Sequence, residues 1–172
     1  MVRNGDDAKV GAGGIGQGTI NSFRRKRGRL LAQMIQGLAK RLGRPVNILD
    51  VGGRAEYWEN VGYDGIAGIT VLNYDAEELA MHRATRTKQG FFHYAIGDAR
   101  AMPDYADGSV DLVHSNSVIE HVGAWHDMAA MAQEMQRIGK AGWVQTPAWE
   151  FPLEPHFRVP FMHWFGAPLR RK

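Results

Sequence analysis

Cysteine is absent from the 172 residues, which removes disulfides, thiolate-rich zinc sites and a cysteine nucleophile together. The absence sits easily with a cytoplasmic protein. No apolar stretch approaches the ~20 residues needed to span a bilayer, and Met1 to Gly18 holds no apolar run of the kind that forms a signal peptide. A soluble chain is therefore expected. Acid is scarce at one end. Residues 1–44 hold ten Lys/Arg against two Asp, and the remainder holds eleven against sixteen acidic residues. The surplus is concentrated in Arg24-Arg25-Lys26-Arg27 and Arg29. Such a run could meet nucleic acid or an anionic membrane, but no aromatic single-strand platform accompanies it. We read it as a solvated helix start, and nucleic acid is not an expected partner.

The length suits one domain, and 44% hydrophobic with 23% charged residues is the balance of an ordinary globular protein. Residues 1–20 are polar and Gly-rich and are expected to form a flexible tail. Within them, Gly11-Ala12-Gly13-Gly14-Ile15-Gly16 matches G-x-G-x-x-G. That motif grips a pyrophosphate only where a strand enters it and a helix leaves, and Asn4-Gly5-Asp6-Asp7 is no strand. A nicotinamide-dependent dehydrogenase is disfavoured on this ground. Residues 21–172 form the domain proper, with a core over 46–147 and an arm over 148–172.

From Arg29 to Leu42, Leu30, Leu31, Met34, Ile35, Leu38 and Leu42 fall on one helical face. Gly43 and Pro45 then stop the helix. Strands are expected at Val46–Val51, Ile66–Leu72, Phe91–Ile96, Val110–His114 and Gly142–Gln145. Between them, helical segments are expected at Ala55–Val61, Glu77–Thr85 and Asp127–Ile138. Short apolar strands alternating with helices predict an α/β fold: a doubly wound, mostly parallel sheet covered on both faces, with right-handed crossovers. Ligands in such folds lie beyond the carboxyl ends of the strands.

Three strand ends carry candidate chemistry. The first is Asp50-Val51-Gly52-Gly53, where glycine lets backbone approach a ligand and the Asp50 carboxylate could attract an amino group. The second is Asn73, 23 residues further on, where nucleotide-binding folds place a group for the ribose hydroxyls. Asp75 competes for that role, but its position also suits a helix cap. The third is Gly97-Asp98-Ala99, whose carboxylate could take a bond from an adenine amino group, with Met102 and Pro103 against the ring. A turn role for Asp98 is the alternative.

Ile48–Gly53 (I-L-D-V-G-G), Gly97–Pro103 (G-D-A-x-x-M-P) and Ser115–Val122 (S-N-S-V-I-E-H-V) together resemble the class I S-adenosylmethionine-dependent methyltransferases, over roughly Val46 to Pro155. The resemblance implies a Rossmann-like fold with S-adenosylmethionine as cofactor. Asp50, Gly52 and Gly53 would then hold the methionine part, Asn73 the ribose, Asp98 and Ala99 the adenine, with Ser115 and Asn116 beside the sulfonium. Arg54, Ala55 and Glu56 stand where the family has further glycines, and Asn73 replaces the commoner acid. Family members continue into two further strands at the sheet edge, for which there is no clear room after Pro147, so the distal edge strands are expected to be missing.

Methyl transfer needs positioning and, for a poor nucleophile, a base. His121 is the candidate base, since an imidazole titrates near neutrality; a structural histidine is the competing reading. The spacing of His114, His121, His126, His156 and His163 fits no metal motif, so no metal is expected. The aromatic and proline-rich arm from Trp149 to Phe165 excludes a regular strand. It reads as an acceptor flap or as a surface for a protein partner or self-association. The expected acceptor is a small or sugar-containing molecule. The rival expectation is a non-catalytic cofactor-binding or scaffolding domain of the same fold.

Overall fold

The structure is a computed structural model and describes residues 15–77, 80 and 90–147. The elements run α1 (Ile15–Leu42), β1 (Val46–Val51), α2 (Ala55–Val61), β2 (Ile66–Asn73), β3 (Phe92–Ile96), β4 (Leu112–Asn116), a single 3-10 turn (Ile119–His121), α3 (Trp125–Ile138) and β5 (Gly142–Gln145). The five strands form one sheet in the order β3-β2-β1-β4-β5, and every adjacent pair is parallel. The protein has the Rossmann-like α/β fold. Strand order reverses between β1 and β4, which puts the switch point, and hence the ligand crevice, at their carboxyl ends.

Alternation along β1 divides the core. Val46 and Ile48 pack with Leu31 and Ile35 of α1 and Trp58 of α2. Leu49 and Val51 point the other way, onto Met131, Met135 and Ile138 of α3. With both faces covered, β1 has no polar stripe, and only Asn47 along it is exposed.

The helix expected from Arg29 starts instead at Ile15, within the segment that composition assigns to a tail. Its early turns expose Arg24, Arg25, Lys26, Arg27 and Arg29, so the basic run is a solvated helix face. Gly28 is the buried exception, and a Cβ there would stand 3.3 Å from the Asn60 carbonyl oxygen of α2. The remainder of the G-x-G-x-x-G match, most of the Glu77–Thr85 segment and the arm over 148–172 lie outside the described residues.

The fourth strand is shifted from its expected place. Val110 makes only an isolated bridge to Gly139, and the ladder begins at Leu112. The reason is Asp111, whose carboxylate turns to the amino-terminal end of the sheet. There it accepts two bonds from the Arg44 guanidinium (2.7 and 2.9 Å), one from Lys140 Nζ (3.0 Å) and one from the Asn47 N–H (3.0 Å). Ser115 and Asn116, expected after the strand, are its last two residues.

On the α3 side, Glu134 ties the loop between β3 and β4 to the helix. It accepts from the Met102 N–H at 2.6 Å and from Arg137 Nε and Nη2 at 2.7 and 2.8 Å. Arg137 in turn donates to the Tyr105 and Met102 carbonyls. Met102 is buried in the α3-side core as a result. Among the described residues no helix is long and apolar enough to cross a membrane.

Candidate functional site

A cavity of about 1010 Å³ opens at the carboxyl ends of the strands, and residues from the ends of β1, β2, β3 and β4 line it. Its volume stands at the upper end of the ~300–1,000 Å³ typical of ligand sites. Of the residues singled out in the sequence, Asp50, Gly52, Gly53, Asn73, Asp98, Ala99, Asn116 and His121 all line it. Ser115 does not. Its side chain lies on the alternate face of β4, where Oγ donates to the Val51 carbonyl at 3.1 Å and fastens β4 to β1.

The loop after β1 is built around Asp50. That residue is fully buried, and both carboxylate oxygens are taken: Oδ2 accepts from Trp58 Nε1 at 2.7 Å and Oδ1 pairs with His114 Nδ1 at 2.6 Å. A Cβ added at Gly53 would overlap this carboxylate, so only glycine leaves it room. Gly52 has φ 69°, in the left-handed region that favours glycine, and its N–H reaches the Leu72 carbonyl at 2.7 Å. A Cβ there would sit 2.6 Å from Val118 Cγ2. The two glycines therefore serve packing and turn geometry, and they also leave bare backbone facing the cavity.

Asn73 ends β2 nearly buried, and its Nδ2 donates to the Gly53 carbonyl at 3.2 Å. It joins the first two strand ends. Asp75 behaves as a cap, accepting the Glu77 N–H at 2.7 Å. Asp98 accepts from Arg100 Nε, Nη2 and backbone N–H at 2.9, 2.7 and 2.9 Å. The Arg100 guanidinium beside it holds the Asp98 carboxyl below its ordinary range, so it stays an ionised acceptor. Arg100 also reaches Asp127 at 3.1 Å, tying this strand end to the start of α3.

His121 sits on the 3-10 turn at the cavity rim, with its side chain more than half exposed and Nε2 4.0 Å from Glu120. His114, Tyr57 and Ser117 are among the lining residues not singled out for this site. His114 pairs with Asp50 in register across β1 and β4; each is a polar residue following an apolar one on the same face, Leu112 and Ile48, and that was the legible signal. Tyr57 stacks near His114 with centroids 5.0 Å apart; burial pushes its phenol up to about 12, with the Asp50 carboxylate adding to the shift. Ser117 adopts φ 57° directly after β4, a conformation that costs a non-glycine residue energy and concentrates at functional sites. Asn116 contributes a buried Oδ1 with no hydrogen-bond partner. Among the described residues no cluster of His, Asp or Glu could hold a metal ion.

Residues 49–143 match the family model described as a methyltransferase domain, which is more than half of the chain. The chain belongs to the class I methyltransferases. The chain is 33% identical over 131 residues to an uncharacterized methyltransferase of Mycolicibacterium gilvum, covering 72% of this chain and 48% of that protein. It is 31% identical over 145 residues to an uncharacterized methyltransferase of Mycobacteroides abscessus, covering 80% and 52%. The chain thus spans about half the length of the curated relatives it matches. In fold it resembles WbdD, solved with a kinase inhibitor, at a TM-score of 0.61 and 20% identity over 78% of this chain and 32% of that one.

Proposed function

We propose that the cavity at the strand ends binds S-adenosylmethionine and that the methyltransferase passes the methyl group to a small, sugar-containing acceptor. The observation that carries this reading is the convergence of the Asp50–Gly53 loop, Asn73, Asp98 with Ala99, and Asn116 on one cavity at the switch point between β1 and β4. The donor set suits the cofactor. The bare backbone of Gly52 and Gly53 takes the methionine part. Asn73 faces the ribose hydroxyls, as a group that both donates and accepts. The ionised Asp98 carboxylate accepts from the adenine amino group, using lone pairs that Arg100 leaves over, and the Ala99 N–H lies against the ring. Asn116, whose buried Oδ1 lacks a donor, stands on the sulfonium side.

Asp50 works from behind this surface. With both oxygens engaged by Trp58 and His114, it shapes the loop and orients the imidazole, and it does not reach the cofactor's amino group itself. The bound cofactor supplies an electrophilic methyl carbon; the chain supplies alignment and exclusion of water.

Calorimetry with S-adenosylhomocysteine tests the reading. Binding in the micromolar range is expected, and a folded chain that shows none at about millimolar ligand would sink it. Asp98→Ala should weaken that binding by roughly tenfold, the worth of one hydrogen bond to a charged group. Unchanged affinity would remove Asp98 from the adenine position.

A further inference from the structure

We propose that His114, held by Asp50, takes the proton when this methyltransferase methylates a hydroxyl group; the proposal rests on the methyl-transfer reading above. Asp50 and His114 are Cα partners across β1 and β4, and His114 and Trp143 are Cα partners across β4 and β5. The three side chains therefore stand in a row on one face of the sheet. A carboxylate accepts, so the bond at 2.6 Å calls for a hydrogen on Nδ1, and in the neutral imidazole that leaves Nε2 as a bare lone pair. That Nε2 is buried without a hydrogen-bond partner, although His114 is only 1% exposed and lines the cavity. The ring is locked between Tyr57 and Trp58, with centroids 5.0 and 4.9 Å away. A buried acceptor with nothing to accept is costly, and it marks a place for a ligand.

The neighbouring groups say which ligand. Trp143 Nε1 is a buried donor without an acceptor. A hydroxyl can give its hydrogen to His114 Nε2 while its oxygen accepts from a donor such as this indole. One rung nearer the carboxyl ends, Asn116 and Gln145 are again Cα partners, and their Oδ1 and Oε1 are buried without donors. A polyhydroxylated molecule brings donors to them.

The step balances. The acceptor oxygen forms a bond to the sulfonium methyl carbon as the carbon–sulfur bond breaks, and that electron pair stays on sulfur as a neutral thioether. The hydroxyl proton passes to His114 Nε2, and the Asp50 carboxylate stabilises the imidazolium. General-base assistance of this kind contributes ~10²–10⁴-fold.

The test uses the full chain with methyl α-D-glucopyranoside as the hydroxyl probe and tritiated S-adenosylmethionine as donor. Transfer to the glycoside is expected, and His114→Gln should lower it by at least ~100-fold while S-adenosylhomocysteine binding remains measurable by calorimetry. Retained transfer in His114→Gln, or a chain that binds S-adenosylhomocysteine but methylates no hydroxyl, overturns the proposal. Since a buried substitution can prevent folding, nitrogen NMR of the histidine-labelled unsubstituted chain gives a second readout. The His114 Nε2 resonance should start in the unprotonated range and move when the glycoside is added. A protonated Nε2 at the outset, or a resonance indifferent to saturating glycoside, overturns it as well. Failure to bind S-adenosylhomocysteine would instead sink the methyl-transfer reading, and the nitrogen signal with glycoside alone would then judge the histidine.

Discussion

The carboxylate of Asp50 fills the space in which a side chain on Gly53 would stand. A buried acid and a glycine three residues later thus depend on each other. Gly53→Ala must displace either the loop or the Asp50–Trp58–His114 network. A loss of ~2–3 kcal/mol in stability is expected from overpacking and strained hydrogen bonds, read by urea unfolding. A change below about 0.5 kcal/mol, the range of ordinary surface substitutions, would show that the loop yields freely.

Trp58 contributes both a buried ring and the donor to Asp50 Oδ2. Trp58→Phe keeps most of the ring and deletes the donor. Leaving a buried carboxylate oxygen short of one bond should cost ~1–3 kcal/mol, seen as a lower denaturation midpoint with an unchanged slope. An unaltered midpoint would mean that water replaces the indole.

Glu134 gives the protein an acid limit. The Arg137 guanidinium, and then the Met102 N–H, hold its carboxyl at about 2, against the ordinary 4.5. A carboxyl lowered in the folded state contributes stability that is present above about pH 4.5 and lost as pH falls towards about 2. Thermal unfolding measured across that window should show the decline, and Glu134→Gln should flatten part of it while costing ~1 kcal/mol near neutrality. Identical acid profiles would place the sensitivity elsewhere.

Asp111 is the corresponding hub at the opposite end of the sheet, 2% exposed and bonded to Arg44, Lys140 and the Asn47 N–H. Its partners are half exposed, so a substitution leaves them in contact with water. Asp111→Ala is expected to lose ~1–3 kcal/mol with little change in ligand affinity, because the residue lies far from the strand ends that line the cavity. A large loss of S-adenosylhomocysteine binding in a folded Asp111→Ala protein would contradict that separation.

The sheet was legible where strand and pattern coincide. Val46–Val51 and Gly142–Gln145 were readable to the residue because Pro45 and Pro147 or glycines punctuate them, and Ala55–Val61 because Gly62 closes the helix. The start of β4 was not. Val110 and Asp111 have the look of a strand entry, but Asp111 is claimed by Arg44, 67 residues away, and no local pattern encodes that partner. The first turns of α1 were not legible because Gly16 and Gly18 are poor helix formers. At the site, the residues of the strand ends followed from spacing. The Asp50–His114 pair required the register between β1 and β4, which only the folded sheet supplies.

That pair also carries a kinetic consequence. Its two members are 64 residues apart in the chain, and β4 can join β1 only after the intervening segment has been looped out, with β2 already contesting the other side of the same strand. Loop closure on this scale slows folding. The imidazole–carboxylate contact therefore cannot exist in a chain that has collapsed around β1 and β2 alone. The nitrogen signal of His114 should accordingly time the joining of β4 to β1 during refolding.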